Sequence, residues 1–146
     1  APDMGSVKMS QGYAKHLGMN FAIIDKRRYA PNKTQVSHLI GELNNRDVLI
    51  IDDMIDTAGT LVNASKSAFE KGAKSVTAIA THGVLSGPAI NRLKKSQIKR
   101  IIITDTIEVS KEKIIDKLKI ISVSKVFGEA VSRIHKSESV SALFEF

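Results

Sequence analysis

Short apolar runs recur along the 146-residue chain, with amphipathic segments between them. Most of these runs are nearly continuous in hydrophobicity rather than alternating, as is typical of strands covered on both faces of a parallel sheet. Helical spacing of apolar positions marks the segments between them. The predicted strands cover 21–25, 48–52, 76–81, 100–104 and 120–123, and the predicted helices cover 7–17, 59–71, 88–94, 112–118 and 127–135.

Strands that alternate with helices predict βαβ units with right-handed crossovers. We therefore expect an α/β fold: an open, mostly parallel twisted sheet with helices on both faces, in one domain over residues 1–146. The least regular stretch is R-R-Y-A-P-N-K at 27–33, a charged loop with a helix-breaking proline, and a candidate flap.

The helix predicted at 59–71 has the clearest boundaries. Thr57 or Thr60 can cap its N-terminus, and Gly72 ends it. One inward stripe is predicted, formed by Leu61, Ala64, Ser65, Ala68 and Phe69. The N-terminus of this helix therefore lies beside the acidic end of the preceding strand.

Composition limits the classes of function. The net charge of +7 invites a nucleic-acid interpretation, but the basic residues are dispersed, with few aromatics between them. They fit solvated helix faces or a cleft for small phosphorylated ligands better, so no nucleic-acid partner is predicted. Cysteine is absent, which excludes disulfides and thiolate zinc sites and favours the cytoplasm. No apolar run approaches the roughly 20 residues that span a bilayer, so no membrane partner is expected.

The stretch V-L-I-I-D-D-M-I-D-T-A-G-T, at 48–60, runs from a buried strand into three aspartates. In open α/β sheets, ligands bind beyond the carboxyl ends of the strands, where Asp52 and Asp53 lie. Adjacent carboxylates suit the vicinal hydroxyls of a ribose, since each accepts a charge-assisted hydrogen bond. The alternative is that these aspartates are ordinary turn and cap residues.

The following D-T-A-G-T has the features of an anion-binding turn. Small Ala58 and Gly59 let the backbone close around an anion, and the positive end of the next helix points to the same place. Hydroxyl donors are supplied by Thr57 and Thr60. Carboxylates for a sugar and donors for its phosphate together predict a sugar-phosphate site over Asp52, Asp53 and Asp56 to Thr60.

This stretch resembles the phosphoribosyl-diphosphate signature of the type I phosphoribosyltransferase fold, and in this form the ribose-phosphate pyrophosphokinase (PRPP synthetase) family. Other motifs agree with the narrower resemblance: P-D-M-G at 2–5, D-K-R-R at 25–28, T-H-G-V-L-S-G-P-A at 81–89 and S-V-S-A-L-F at 139–144. The resemblance covers nearly all of the chain but only the C-terminal half of a family member. It implies that an N-terminal half, carrying much of the ATP contact surface, is the partner of this one.

The resemblance implies transfer of the diphosphoryl group of Mg-ATP to the 1-hydroxyl of ribose 5-phosphate, giving PRPP and AMP. Asp56 to Thr60 then hold the 5-phosphate, and Asp52 with Asp53 holds the ribose hydroxyls. Lys26 is implied to be catalytic, and Arg28 to be catalytic and to contact ribose 5-phosphate. Two apart in an extended segment, these cations project to the same side. If K-R-R did not follow a strand of this fold, one strand away from the sugar-phosphate loop, it would be interpreted as a solvated loop.

Further roles are implied at the two ends of the chain. Asp3 matches a carboxylate near Mg²⁺, although it is also a helix-cap candidate. Ser139 and Ser141 match a regulatory anion site between subunits, or are plain surface hydroxyls. Family members assemble as homo-oligomers, specifically hexamers. Ser6 and Lys8 depart from the family pattern of glycine and arginine. We expect Ser6 to obstruct a backbone that relied on glycine, and Lys8 cannot reproduce a bidentate arginine contact.

Two other functions remain open from the sequence. A phosphoribosyltransferase shares the acidic strand and loop but consumes PRPP to glycosylate a base. A non-catalytic, synthetase-like regulatory subunit would keep the fold for assembly. If the leading interpretation holds, we expect the isolated chain to bind ribose 5-phosphate weakly and to make little or no product.

Overall fold

The structure is a computed structural model that describes residues 1–27 and 36–144, with only the backbone described at 25–27 and 36–38. Its helices are α1 (Val7–His16), α2 (Gly59–Glu70), α3 (Ala89–Lys95) and α4 (Ser124–His135). Its strands are β1 (Ile23–Arg27), β2 (Val36–Ile40), β3 (Asp47–Ile55), β4 (Ser75–Gly83), β5 (Arg100–Thr104) and β6 (Leu118–Ile121). Short 3₁₀ turns occur at Lys111–Lys113 and Ser141–Phe144.

The main sheet is parallel and has the strand order β3-β4-β5-β6. Its register aligns Asp52 with Ala80, Ala80 with Ile103, and Ile103 with Ile120. The parallel α/β fold predicted from the apolar runs is therefore confirmed. The carboxyl ends of β3 and β4 meet at one edge of the sheet, where the acidic stretch ends.

The strand predicted at 21–25 does not join this parallel sheet. As β1, it pairs antiparallel with β2 in a separate two-stranded sheet, with Ile23 opposite Ile40. The connection at 28–35 is shorter than the dozen or so residues that a parallel crossover requires, which favours antiparallel pairing. The strand β2 was not predicted, because its short V-S-H-L-I sequence follows directly on the charged loop.

The helix predicted at 112–118 is also wrong. A 3₁₀ turn ends at Lys113, and β6 begins at Leu118. Between them Ile115 is buried in the core, and its carbonyl accepts the N–H of Leu118 at 2.8 Å. The chain leaves the helical conformation after Lys113 because this places the side chain of Ile115 in the core. The last helix begins at Ser124 rather than at 127.

The core lies on one face of the parallel sheet. Alternate positions of β4 and β5 are buried there beneath the small-residue faces of α2 and α3: Val76, Ala78, Ala80, Ile101 and Ile103 against Ala64, Ala68 and Leu93. The intervening residues, such as Ile79 and Ile102, are only partly buried. Helices flank the sheet, but they cover it unequally. The coverage is unequal because α1 packs against β3, whereas α4 has no buried residue. All of α4 is described.

Within the described part of the chain, no helix is long and apolar enough to cross a membrane.

Candidate functional site

The acidic pair at the end of β3 is partly buried. Asp52 is half-buried, whereas Asp53 is exposed. The N–H of Asp53 donates to Asp52 Oδ1 at 3.0 Å, and the N–H of Met54 donates to Asp53 Oδ1 at 2.7 Å. Burial raises the pKa of Asp52 to about 6, and the negative charges of Asp3 and Asp53 add to this against the opposing Asp53 N–H. Asp52 is therefore a carboxylate that gains from a partner able to donate a proton or supply positive charge.

Asp3 lies close enough to Asp52 for its negative charge to raise the pKa of Asp52. One oxygen, Asp3 Oδ1, accepts the N–H of Ser6 at 3.0 Å and its hydroxyl at 3.1 Å. Ser6 has φ −89° and ψ 1°, which any residue adopts, so glycine is not needed here. The serine therefore does not obstruct the loop; its hydroxyl instead occupies one oxygen of Asp3.

The D-T-A-G-T turn places an alanine in the left-handed conformation. Ala58 has φ 61° and ψ 10°, is buried, and occupies the N-cap position of α2. The expected threonine cap is wrong: among the described side chains none caps α2, since Thr57 precedes the cap position and Thr60 lies inside the helix. Both threonines are exposed. The first amides of α2 have no acceptor within the helix, and the hydroxyls beside them are accessible.

A second segment supports this turn from the side of α3. The N–H groups of Leu85 and Ser86 donate to the carbonyls of Ile55 and Asp56, at 2.9 and 3.1 Å. The Ser86 hydroxyl also donates to the Asp56 carboxylate. Arg92 Nη1, from α3, donates to the Thr57 carbonyl at 3.0 Å. Because the Asp56 carboxylate accepts from Ser86, the structure favours its backbone, rather than its side chain, as the part that faces an anion.

Sequence reasoning missed the support by Ser86 and Arg92. Ser86 lies inside the T-H-G-V-L-S-G-P-A motif, which was noted only as a resemblance, and Arg92 was counted only as a scattered basic residue. Both contacts join residues about 30 positions or more apart in sequence. No local pattern carries such a pairing.

His82 lies on β4 opposite Met54 of β3, one strand away from the acidic pair. It is half-buried, and its Nδ1 lies 2.8 Å from the hydroxyl of Thr106. The hydroxyl of Thr104 donates to the carbonyl of Thr81 at 2.7 Å. This cluster of hydroxyls orients the imidazole at the same edge of the sheet as the aspartates.

The remaining predicted residues lie elsewhere or outside the description. Lys26 belongs to β1, but its side chain is not among those described, and Arg28 lies outside the described residues. Ser139 and Ser141 form a C-terminal turn in which Ser139 Oγ accepts the N–H of Ser141 at 3.2 Å. Arg133 Nη1 donates to the Ser139 carbonyl at 3.1 Å. The structure thus brings Asp3, Asp52 and Asp53 together, and it forms the D-T-A-G-T turn at the end of the same strand.

A cavity of about 250 Å³ lies between α1 and the first half of β3. Its wall is formed by residues such as Ser10, Tyr13 and Leu43, together with 48–51. Among the predicted site residues whose side chains are described, none lines it. Despite its size, this cavity is a weaker candidate for the sugar-phosphate site than the carboxyl end of β3. A sugar phosphate needs polar partners, and these lie at the carboxyl end of β3.

Among the described residues, no group of three or more His, Asp or Glu side chains could hold a metal ion. Asp3 and Asp52 offer only two carboxylates. Mg²⁺ often binds one or two protein carboxylates and completes its shell with water and substrate phosphates, so the donor set fits an ion brought in with a phosphorylated substrate.

Comparison with known proteins shows the family of the chain. Residues 28–145 match the family described as the phosphoribosyl synthetase-associated domain. The chain belongs to this family. The phosphoribosyl synthetase-associated match includes β3, the D-T-A-G-T turn and the supporting segment, but not Asp3 or Lys26.

Curated relatives extend the likeness to almost the whole chain. A protein named ribose-phosphate pyrophosphokinase from Caldanaerobacter subterraneus is 51% identical over 144 residues, which cover 99% of this chain and 46% of the relative. One of the same name from Fusobacterium nucleatum is 50% identical with the same coverage. The chain therefore spans about half the length of these relatives.

A solved structure also agrees. Phosphoribosylpyrophosphate synthetase from Mycobacterium smegmatis superposes with a TM-score of 0.86 at 31% identity, covering 93% of this chain and 44% of that one. Over nearly the whole length of the chain, this member of the phosphoribosyl synthetase-associated family therefore has the fold of the matching part of that synthetase.

Proposed function

We propose that this chain is the sugar-phosphate half, the C-terminal half, of a ribose-phosphate diphosphokinase. That enzyme transfers the diphosphoryl group of Mg-ATP to the 1-hydroxyl of ribose 5-phosphate and releases AMP. The observation that carries the proposal is the juxtaposition, at the end of β3, of a half-buried carboxylate and a left-handed turn that leaves the N-terminus of α2 open. The names of the relatives support it.

Each part of the site has a proposed task. Asp52 and Asp53 accept hydrogen bonds from the ribose hydroxyls, which stabilises the carboxylate of Asp52 whose pKa burial has raised. Asp56, Thr57, Ala58, Gly59 and Thr60 hold the 5-phosphate through backbone amides and two hydroxyls. Fixing the sugar at both ends holds its 1-hydroxyl in one orientation. This positioning supplies much of the catalysis in phosphoryl transfer.

The reaction also needs positive charge. The 1-hydroxyl oxygen loses its proton to water and forms a bond to the β-phosphorus of ATP. The bond from that phosphorus to the oxygen bridging the α-phosphate breaks, and AMP leaves with that oxygen. We propose that Lys26 and Arg28 neutralise charge on the transferring group, an effect worth roughly 10³ to 10⁵ in rate for a well-placed cation. Arg28 also contacts ribose 5-phosphate. Asp3 would hold Mg²⁺, which would neutralise further charge on the phosphates when bound.

Other properties of the protein follow from the same proposal. The remaining half of such an enzyme supplies the nucleotide side of the site, so the isolated chain makes little product. Ser139 and Ser141 contribute to a regulatory anion site, in a turn beside Arg133. The protein works in the cytoplasm as a homo-oligomer, a hexamer, and takes ribose 5-phosphate and ATP as substrates.

The first test is isothermal titration of ribose 5-phosphate into the chain with Mg²⁺. We expect weak, saturable binding that Asp52→Asn abolishes or reduces by roughly tenfold, through loss of charge-assisted hydrogen bonds. Asp116→Asn is the matched control, because Asp116 is an exposed aspartate outside the site. Equal affinity in all three proteins would contradict the proposed site.

A second test separates this function from the alternatives. Incubation with PRPP and purine or pyrimidine bases would form nucleotides if the protein were a phosphoribosyltransferase. We expect none. With ATP and ribose 5-phosphate the isolated chain should form little AMP, and AMP formation at the rate of an intact synthetase would show that the second half is not needed.

A further inference from the structure

The carbonyls of the strand-to-turn junction are bound one after another by a single neighbouring unit. This unit consists of the V-L-S-G-P segment at 84–88 and the start of α3. Leu85 N–H binds the Ile55 carbonyl, Ser86 N–H binds the Asp56 carbonyl, and Arg92 Nη1 binds the Thr57 carbonyl. Three consecutive carbonyls therefore have fixed partners on one side of the turn.

Such partners matter because the turn is intrinsically unfavourable. Ala58 follows these carbonyls in the left-handed conformation, which is unfavourable for a residue with a Cβ. No described side chain caps α2, so cap bonds do not compensate for this cost. The strain persists because the surrounding structure fixes the chain on both sides of Ala58.

Of these three partners of the carbonyls, Arg92 is the one that binds through its side chain, so a substitution can remove its contact. It is exposed and extends from α3 across the turn, where a Cβ built on Gly59 would lie 3.5 Å from its Nη1. Its positive charge thus lies beside the first amide of α2.

We propose that Arg92 and Ser86 are positioning residues for the phosphate turn, a conclusion that rests on the proposed function. Arg92 holds the Thr57 carbonyl and the backbone N–H of Ser86 holds the Asp56 carbonyl toward α3, which keeps the amides of the next residues directed at the ligand before it binds. The Ser86 hydroxyl adds a second effect, since it engages the Asp56 carboxylate and keeps this negative charge away from the phosphate. A turn that already has its binding conformation binds the phosphate end of the ligand more tightly, because less conformational freedom is lost on binding.

The test compares Arg92→Met with Lys94→Met, which removes an exposed charge from the same helix without a contact to the turn among those described. Ribose 5-phosphate is titrated into each ¹⁵N-labelled protein, and the amide shifts of Ala58, Gly59 and Thr60 are followed. We expect Arg92→Met to weaken binding roughly tenfold and to shift these amides already in the free protein. Lys94→Met should do neither, and Arg92→Lys should restore part of the affinity.

Ser86→Ala provides the second variant. It should weaken binding less than Arg92→Met, and the double variant should lose less affinity than the two single losses combined, since both residues support one turn. Wild-type binding with equal affinity in Arg92→Met would overturn this inference alone. Absence of binding by the wild-type protein would overturn the proposed function and this inference with it.

Discussion

Asp52 shows how one residue joins stability to function. A folded-state pKa above the usual value means that the folded protein binds this proton more tightly than the unfolded chain does. The stabilisation is present below the unfolded pKa of 3.8 and is lost as the pH rises through about 6. At neutral pH the site therefore holds an unfavourable charge that a ligand can relieve, as expected for a functional carboxylate.

We expect Asp52→Asn to be more stable than the wild-type protein at about pH 7.5 and to lose this advantage toward about pH 4.5. The rise of the Asp52 pKa from 3.8 to about 6 corresponds to about 3 kcal/mol in the free energy of unfolding. Solvent screening at a half-buried residue reduces this to about 1 kcal/mol. Urea unfolding at both pH values measures the change. Asp116→Asn serves as the control, and a gain that does not depend on pH would contradict the explanation.

Ala58 tests the left-handed turn directly. Ala58→Gly should be nearly neutral, because relief of about 1 kcal/mol of backbone strain is offset by greater unfolded-state entropy and by the lost methyl. Ala58→Val should cost more than about 2 kcal/mol, because a β-branched residue is strained at this φ and the site is buried. Thermal unfolding of both variants measures the difference, with Ala130→Val on α4 as the control. Equal stabilities for the glycine and valine variants would refute the left-handed conformation.

At the scale of elements, the end of β4 packs against the side chain of Ile103 on β5, and Gly83 leaves room for it. A Cβ at Gly83 would collide with Ile103 Cδ1. We expect Gly83→Ala to cost about 1 to 3 kcal/mol. Ile103→Val removes the colliding atom at a cost of about 1 kcal/mol, and the double variant should be more stable than the sum of the two losses. Simple additivity in denaturant unfolding would mean that the collision is not the cause.

The helix α1 carries a second packing feature. Ser10 is buried, and its hydroxyl has no hydrogen-bond partner among the described residues. We expect Ser10→Ala to raise the free energy of unfolding by about 1 kcal/mol, since it removes a desolvated polar group at little cost in packing. Exposed Ser137 offers the control Ser137→Ala. A destabilised Ser10→Ala protein would show that the hydroxyl has a partner after all.

At the scale of the whole molecule, α4 presents an apolar surface to solvent. Phe127, Val131 and Ile134 lie on successive turns and are 62%, 65% and 67% exposed. Surfaces of this kind mark interfaces. If the expected homo-oligomer uses this face, the sedimentation coefficient of the wild-type protein should rise with concentration. The sedimentation coefficient of the double variant Phe127→Ser/Ile134→Ser should stay at the value of a monomer. Lys136→Ser is the control, and a wild-type protein that is monomeric throughout would contradict the prediction.

Much of this protein was determined by local sequence. The apolar runs specified β3, β4 and β5, because buried parallel strands need continuous hydrophobicity. The stripe beginning at Leu61 and the glycine at 72 specified α2, since helical periodicity and a left-handed stop are local properties. The D-D-M-I-D-T-A-G-T stretch predicted the proposed site, because the end of a strand and the start of the next helix are neighbours along the chain.

Only the tertiary structure decided the rest. The separate pairing of β1 with β2 depended on a partner strand beyond a charged loop, and the turn before β6 depended on burial of Ile115. The raised pKa of Asp52 required burial and the approach of Asp3. The support of the turn by Ser86 and Arg92 joined residues distant in sequence. Periodicity and propensity describe neighbours along the chain, whereas burial, charge coupling and long-range hydrogen bonds depend on which residues folding brings together in space.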